Sequence, residues 1–179
     1  MFGGIELSLL EIVLTFSSLV ALVTDLLWGK IYNILTFSLV FSGLAYSVAE
    51  WHAVGSILGI LTAFALFGWI FKVGHLGGGD VKFLMGVGAW AGPKFTLEVA
   101  LLSILLGGLF SVGVLLYKGR FFSFGRKLFL SLQSLLIPEL EFQSIHTDKK
   151  LRMPFGIPLA IATVWTLLKH PFFTWGMIL

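Results

Sequence analysis

Apolar segments long enough to cross a lipid bilayer recur along the whole chain, and no other feature limits the possible folds so strongly. A spanning helix needs about 20 mostly apolar residues, and fewer where it is tilted or buried in protein. Hydrophobic residues make up 58% of the 179 residues and charged residues only 12%, against roughly a quarter charged in soluble domains. The sequence therefore predicts an all-α, polytopic membrane helix bundle. We expect about six transmembrane helices, at roughly 5–24, 31–49, 53–71, 81–93, 95–117 and 154–170.

The fourth apolar segment is short and ends at the pair Gly92-Pro93. Proline inside a helix lacks a backbone donor and clashes with the preceding turn. The sequence therefore predicts a sharp break between the fourth and fifth helices, and a span this thin is also compatible with a partly re-entrant segment. Near predicted helix ends, where interfacial indoles tend to lie, the chain has Trp28, Trp51, Trp90 and Trp175.

The positions of the basic residues predict the orientation in the membrane, because cytoplasmic loops retain Lys and Arg. With the N-terminus outside, the cytoplasmic loops are 25–30, 72–82 and 118–152, and they contain 10 of the 12 basic residues. Only Lys94 and Lys169 fall elsewhere. The pattern predicts an N-out, C-out topology.

The largest polar interval is 118–152, and the stretch RKLFLSLQSLLIPELEF within it has two faces. Lys127, Ser131 and Ser134 recur there at helical spacing, opposite three leucines. This pattern is typical of an interfacial amphipathic helix rather than a seventh span. Because no repeat or second soluble domain is visible, residues 1–179 are predicted to form a single membrane-embedded domain.

Composition excludes several kinds of site. The chain has no cysteine, which excludes a cysteine nucleophile, disulfides and thiolate zinc sites. His75 has no partner at metal-ligand spacing, so neither a metal nor a cofactor is expected. The net charge of +3 is explained by the cytoplasmic loops, so the lipid bilayer, and not nucleic acid, is the expected partner.

Two aspartates lie at the same predicted depth. Asp25 closes the first helix and Asp80 opens the fourth, both on the cytoplasmic side. In one interpretation each acid caps a helix or pairs with Lys30 or Lys82. In the other they form a catalytic pair that shares a proton, so that one carboxylate takes a proton from water while the other polarises a peptide carbonyl. Charge and spacing alone leave both interpretations open.

Three glycines, Gly77 to Gly79, precede Asp80. Glycine permits backbone angles closed to other residues and lets a substrate main chain approach a neighbouring group closely. A glycine-rich approach to the Asp80 carboxylate fits the catalytic interpretation. An ordinary cytoplasmic turn would use glycines equally well.

Three separated stretches combine into a larger pattern: TDLLWGKIYNIL at 24–35, GGGDVKFLMGVGAWAG at 77–92 and MPFGIPLAIATVW at 153–165. The first resembles a segment with an aspartate, a basic residue five positions later and then Ile-Pro-Asn. The second resembles a GxGDVK segment followed by apolar residues, and the third a Pro-Phe-Gly-Pro motif that opens a helix. Together they resemble the type IV prepilin peptidase family, the GxGD membrane aspartic peptidases that include preflagellin peptidases. Order, spacing and predicted topology agree over residues 20–168.

The resemblance implies specific roles for residues of this chain. Asp25 and Asp80 would be the catalytic pair of an aspartic endopeptidase, with Gly77 and Gly79 as the motif glycines. Supporting positions are matched by Lys30, Asn33, Lys82, Pro154 and Gly156. The implied substrate is a prepilin-like precursor whose short basic leader is cut off after a glycine, at the edge of its hydrophobic helix. The implied location is the bacterial inner membrane, with the active site facing the cytoplasm.

Two departures from the family pattern affect loops rather than acids: Tyr32 and Ile157 replace prolines that are usual in the first and third motifs. Larger bifunctional members carry paired CxxC motifs and methylate the new N-terminus. Because this chain has no cysteine, we expect peptidase activity without N-methyltransferase activity. One alternative is a preflagellin peptidase or another GxGD peptidase that processes other signal peptides. A second, from a different class, is a small proton-coupled transporter in which the acids relay protons.

Overall fold

The structure is a computed structural model that describes residues 8–50, 52–72, 76–117 and 155–169. These residues form five helical elements, the fourth of which consists of two helices joined across a kink at Gly92, and none of the residues is in a strand. Three helical stretches are long and apolar enough to cross a membrane: Leu9–Trp28, Ala53–Lys72 and Gly78–Gly113. The predicted all-helical architecture is therefore confirmed for the described residues. In chain order the helices are α1 (Leu9–Trp28), α2 (Asn33–Ala49), α3 (Ala53–Lys72), α4 (Gly78–Tyr117) and α5 (Gly156–Lys169).

Both ends of α1 have recognisable caps, which explain why the helix lies slightly later in the chain than the apolar pattern suggests. At the start, the backbone N–H of Glu11 donates to Ser8 Oγ while the backbone N–H of Ser8 donates to a Glu11 carboxylate oxygen at 2.8 Å, a reciprocal capping box. At the end, Gly29 adopts the left-handed conformation with φ 62°, as helix-terminating glycines do. Asp25 consequently lies in the last turn of α1 rather than after it.

The predicted break at Gly92-Pro93 is confirmed. Gly92 has φ 77° and ψ −177°, a conformation outside the helical region, and Pro93 follows directly. A Cβ on Gly88 would lie 2.9 Å from Thr96 Oγ1, whereas eight residues of straight helix would separate these positions by about 12 Å. The chain therefore bends sharply at Gly92, and Thr96 Oγ1 donates to the Gly92 carbonyl at 2.7 Å within the bend.

Close backbone packing joins α3 to the first part of α4. A Cβ on Gly59 would overlap the carbonyl oxygen of Gly88, so these helices touch where neither has a side chain. Ser56 Oγ adds a hydrogen bond to the Ala89 carbonyl at 2.5 Å. Small residues at contacts and hydrogen bonds between helices are the usual means of helix association in membranes.

Trp90 is buried inside the protein, although it lies near a predicted helix end. Its expected depth at the membrane interface stays a prediction. Its side chain is 9% exposed. Its indole Nε1 donates to the Leu39 carbonyl at 3.1 Å, and its ring stacks on Tyr46 with centroids 5.0 Å apart. Trp90 therefore connects α4 to α2 from within the bundle.

The chain divides into two compact units. The first comprises residues 1–107 and 154–179 and contains α1 packed against α5. The second comprises residues 108–153, of which the structure describes only the end of α4. The predicted amphipathic helix within 118–152 lies outside the described residues, as do Pro154 and His75. The assignment of residues 1–179 to a single domain stays a prediction.

Candidate active site

Asp25 is buried where α1 meets the beginning of α5. Its side chain is 6% exposed, and its carboxylate lies beside the backbone N–H groups of Gly156 and Ile157. Such N–H groups have no partner within their own helix, and the helix dipole favours a negative group beside them. The start of α5 thus holds the Asp25 carboxylate from a distant part of the chain.

Gly156 is needed for this close approach. A Cβ at position 156 would lie 2.6 Å from Asp25 Oδ2 and 2.9 Å from both Asp25 Cβ and Asp25 Cγ. These distances are too short for any side chain, so only glycine lets α5 begin against the aspartate. Asp25 Oδ2 itself has no hydrogen-bond partner among the residues that the structure describes.

Asp80 is the third residue of α4 and is 7% exposed. Its Oδ2 accepts a hydrogen bond from the backbone N–H of Gly77 at 3.1 Å, so the carboxylate caps the first turn of its own helix. A Cβ on Gly77 would lie 2.8 Å from the same oxygen. Gly77 therefore both donates to the Asp80 carboxylate and leaves room for it.

The stretch around Asp80 contacts the stretch that follows Asp25 at two points. A Cβ on Gly79 would lie 3.0 Å from the Ile31 carbonyl oxygen and 3.1 Å from Ile31 Cβ, which shows how closely α4 begins against the connection between α1 and α2. Lys82 Nζ donates to Asn33 Oδ1 at 2.9 Å and lies 4.9 Å from the centre of the Phe37 ring. Two sequence motifs that are far apart in the chain are therefore adjacent in the fold.

The third motif joins the first through Asp25 and Gly156, and it is anchored by Phe155. The Phe155 ring packs edge-on against Phe67 with centroids 5.7 Å apart and lies over Gly107, where a Cβ would be 2.7 Å from the ring. The described parts of all three motifs thus contact one another through the first motif. Lys30 is exposed on the connection between α1 and α2, and Pro154 lies outside the described residues.

One buried acid was not predicted: Glu98 in α4 is completely buried. The signal was a single acid within an otherwise apolar segment, which is costly in a membrane and therefore informative. Within residues 8–50, 52–72, 76–117 and 155–169, no group of three or more histidine, aspartate or glutamate side chains could hold a metal ion. The expectation of no metal or cofactor stays a prediction.

Comparison with known proteins matches the part of the chain that contains the first two motifs. The model of the type IV leader peptidase family matches residues 12–112, which include Asp25 and the glycine-rich segment before Asp80. Two relatives from Aeromonas salmonicida, one of them from strain A449, are each named prepilin leader peptidase/N-methyltransferase. Each is 31% identical over 96 residues, which cover 48% of this chain and 33% of the relative.

This chain is therefore matched to only one third of the length of those relatives, and the third motif lies outside the residues that the family model matches. No solved structure matches the chain. The family match nevertheless covers more than half of the 179 residues and contains both buried aspartates. The chain therefore belongs to the type IV leader peptidase family.

Proposed function

We propose that this chain is a membrane aspartic endopeptidase that removes short basic leaders from prepilin-like precursors, with Asp25 and Asp80 as its catalytic pair. The observation that carries the proposal is the contact between the two motifs: Gly79 against Ile31, and Lys82 bonded to Asn33. These contacts draw together two segments that each hold a buried aspartate. The family match favours this function over the proton-coupled transporter considered from sequence alone.

The proposed chemistry uses the two carboxylates as one unit. Two carboxylates that lie close together cannot both ionise readily, so they share a proton and titrate as a pair. The ionised member takes a proton from a water molecule as that water attacks the peptide carbonyl. The protonated member donates a hydrogen bond to the carbonyl oxygen and stabilises the charge that develops there. Asp25 Oδ2, which lacks a protein partner among the described residues, is suited to hold such a water.

The proposed topology places this chemistry at the cytoplasmic edge of the bacterial inner membrane. Asp25 lies in the last turn of α1 and Asp80 in the first turn of α4, so both belong to the side that the basic residues assign to the cytoplasm. Six spans with both termini outside satisfy this assignment. Water can reach a bond at this edge without crossing the hydrocarbon region.

We propose a precursor with a short basic leader followed by a hydrophobic helix, and a preflagellin or a related signal peptide is the alternative within the same class. N-methyltransferase activity appears in the name of both relatives. Our expectation that this chain lacks it rests on the absence of cysteine and is tested by mass analysis of the processed N-terminus.

Isosteric substitutions test the catalytic pair directly. Asp25→Asn and Asp80→Asn each keep the side-chain shape and remove the shared proton and charge. Coexpressed with a candidate precursor, each variant should lose at least about 100-fold in the rate of leader removal, as expected when an acid or base is removed. The measurement is the ratio of processed to unprocessed precursor on a gel over time.

Glu50→Gln is the matched control, because Glu50 is an exposed acid at the end of α2. It should cleave at the wild-type rate. Normal cleavage by either aspartate variant, at wild-type abundance in the membrane, would show that the pair is not catalytic.

A further inference from the structure

Phe155 lies directly before Gly156, and its ring is held by residues of two other helices. On one side the completely buried ring of Phe67 in α3 meets it edge-on, with centroids 5.7 Å apart and planes at 71°. On another side is Gly107 in the second half of α4, where a Cβ would lie 2.7 Å from Phe155 Cε2 and 3.2 Å from Phe155 Cδ2. The ring therefore rests on the backbone of α4, in a socket formed by Phe67 and Gly107.

This contact needs a glycine at position 107 but not at the next position. Gly107 is buried and Gly108 is exposed, and a Cβ on Gly108 would have no atom within 4 Å. A side chain at position 107 would displace the Phe155 ring, since carbon atoms in contact ordinarily lie about 3.5–4.0 Å apart. The two adjacent glycines therefore separate an effect of the socket from an effect of glycine as such.

The backbone of Phe155 begins α5. Its carbonyl accepts a hydrogen bond from the N–H of Leu159 at 3.2 Å, and Leu159 is completely buried. The first N–H groups of a helix have no partner within that helix, and helix ends fray. A ring fixed in a socket immediately before the first turn of α5 restrains that turn.

The same first turn lies against Asp25. A Cβ on Gly156 would lie 2.6 Å from Asp25 Oδ2 and 2.9 Å from Asp25 Cβ, and the backbone N–H groups of Gly156 and Ile157 lie beside the carboxylate. A displacement of this turn must therefore move the carboxylate or separate it from these N–H groups. The socket and Asp25 are joined through two consecutive residues, Phe155 and Gly156.

We propose that Phe155 is a positioning residue for leader removal: its ring, held in the socket, fixes the first turn of α5 and so the Asp25 carboxylate. The inference rests on the proposed function, because the position of Asp25 matters to cleavage only if Asp25 is catalytic. It adds α3 and the second half of α4 to the elements on which Asp25 depends. A positioning role has its own kinetic effect, since loss of an interaction made only in the transition state lowers kcat and kcat/KM equally and leaves KM unchanged.

Gly107→Ala, with Gly108→Ala as its matched control, tests the socket without changing Phe155 or Asp25. The full chain is reconstituted in phosphatidylethanolamine–phosphatidylglycerol vesicles, and the substrate is a synthetic precursor with a basic leader, a glycine and an apolar helix of about 20 residues. Misplacement of a catalytic group by about 1 Å can cost about 100-fold in rate. Because the ring takes up part of the displacement, we expect Gly107→Ala to lower kcat roughly tenfold at unchanged KM. Gly108→Ala should keep the wild-type kcat.

Phe155→Leu provides a second variant and a rescue experiment. Leucine lacks the ring atom Cε2 that a methyl group at position 107 would meet, so it removes the contact and the clash together. We expect Phe155→Leu to lower kcat roughly tenfold by itself. Adding Gly107→Ala to Phe155→Leu should cause no further loss, since the effects of two residues in contact are not additive. Losses that multiply to about 100-fold would overturn the proposal.

The abundance of each variant in the membrane separates positioning from general packing. A lower abundance with a wild-type kcat in Gly107→Ala would overturn the proposal, because the socket would then serve only the stability of the bundle. If Gly107→Ala does not accumulate in the membrane, Phe155→Leu decides alone, and a wild-type kcat in that variant overturns the proposal.

The wild-type chain and Asp25→Asn are assayed on the same precursor in parallel, so that the two proposals can fail separately. Cleavage by the wild type that is lost in Asp25→Asn but retained at the wild-type kcat in Phe155→Leu would overturn the role of Phe155 alone. No cleavage by the wild type, or cleavage by Asp25→Asn at the wild-type rate, would overturn the proposed function and this inference with it.

Discussion

The two buried aspartates are held by different kinds of contact. Asp80 is fixed within its own segment, because Gly77, three residues earlier, donates to its carboxylate. Asp25 is fixed by α5, a helix from the other end of the chain, whose first residue touches the carboxylate. The setting of Asp80 is therefore encoded locally, whereas the setting of Asp25 exists only once α1 and α5 have packed together. Substitutions that disturb the surroundings of Asp25 should therefore reduce cleavage more than substitutions that disturb the surroundings of Asp80.

Gly156→Ala is expected to have the largest effect, because it disturbs the tertiary setting. The new methyl group would lie 2.9 Å from Asp25 Cβ, which is fixed to the helix backbone and cannot rotate away as a carboxylate oxygen can. Either α5 or the Asp25 side chain must move. Misplacement of a catalytic group by about 1 Å can cost about 100-fold in rate, and we expect a loss of that order in kcat for leader removal.

Gly55→Ala is the control for Gly156→Ala. Gly55 also lies in the first turn of a helix, and a Cβ there has no atom within 4 Å, so cleavage should be unchanged. The abundance of each variant in the membrane fraction separates a catalytic defect from loss of the protein. Wild-type kcat in Gly156→Ala would mean that the contact with α5 does not set the position of Asp25.

Gly77→Ala should have a smaller effect, because the atom that it meets is movable. Its Cβ would lie 2.8 Å from Asp80 Oδ2, the end of a side chain that can turn aside at the cost of a distorted hydrogen bond. We expect a loss of roughly tenfold in leader removal, equivalent to about 1.4 kcal/mol. The kinetics of precursor cleavage in vesicles measure it.

The neighbouring glycine provides the comparison for Gly77. A Cβ on Gly78 would lie 3.5 Å from the Phe71 ring, an ordinary van der Waals distance. Gly78→Ala should therefore cleave at the wild-type rate even though it changes the same glycine run. Equal losses in the Gly77 and Gly78 variants would indicate that the run acts through backbone flexibility and not through its contact with Asp80.

The features that the sequence predicts well are those set by local contacts, and the features that it does not predict depend on tertiary contacts. The described helix ends lie within a few residues of the predicted ones, because apolar length and residues such as Pro93 act locally. The break at Gly92 is predicted for the same reason. The contact between Gly156 and Asp25 is not predictable from spacing, because it depends on which faces of α1 and α5 meet.

Trp90 shows that hydropathy does not predict whether a side chain near a helix end points into the protein. Its place near a helix end is typical of an interfacial residue, yet its indole is buried and bonded to the Leu39 carbonyl. Hydropathy gives the depth of a residue along the membrane normal and not the direction in which its side chain points. That direction is set by pairs such as Gly59 and Gly88, which bring α3 and α4 close enough to enclose neighbouring side chains.

The hydrogen bond between Lys82 and Asn33 joins the segment that contains Asp80 to the segment that follows Asp25. Of these substitutions, those that remove this bond should have the smallest effect on cleavage. Lys82→Met keeps the aliphatic stem and removes the ammonium group, and Asn33→Ala removes the acceptor. Because the bond is solvent-exposed, it should contribute less than about 1 kcal/mol, so each variant should lose about threefold in kcat/KM. Lys72→Met, which changes an exposed lysine on α3, should leave kcat/KM unchanged.

A double-mutant cycle shows whether Lys82 and Asn33 affect cleavage through their hydrogen bond or independently of each other. If Lys82 and Asn33 act through each other, the double variant should be no slower than the slower single variant, since the second change removes a partner already lost. Effects that multiply would mean that the two residues act independently. In that case the close packing of Gly79 on Ile31 would be the contact that holds the Asp80 segment beside the Asp25 segment. Gly79→Val, which disturbs that packing, would then test whether the two segments must stay together for cleavage.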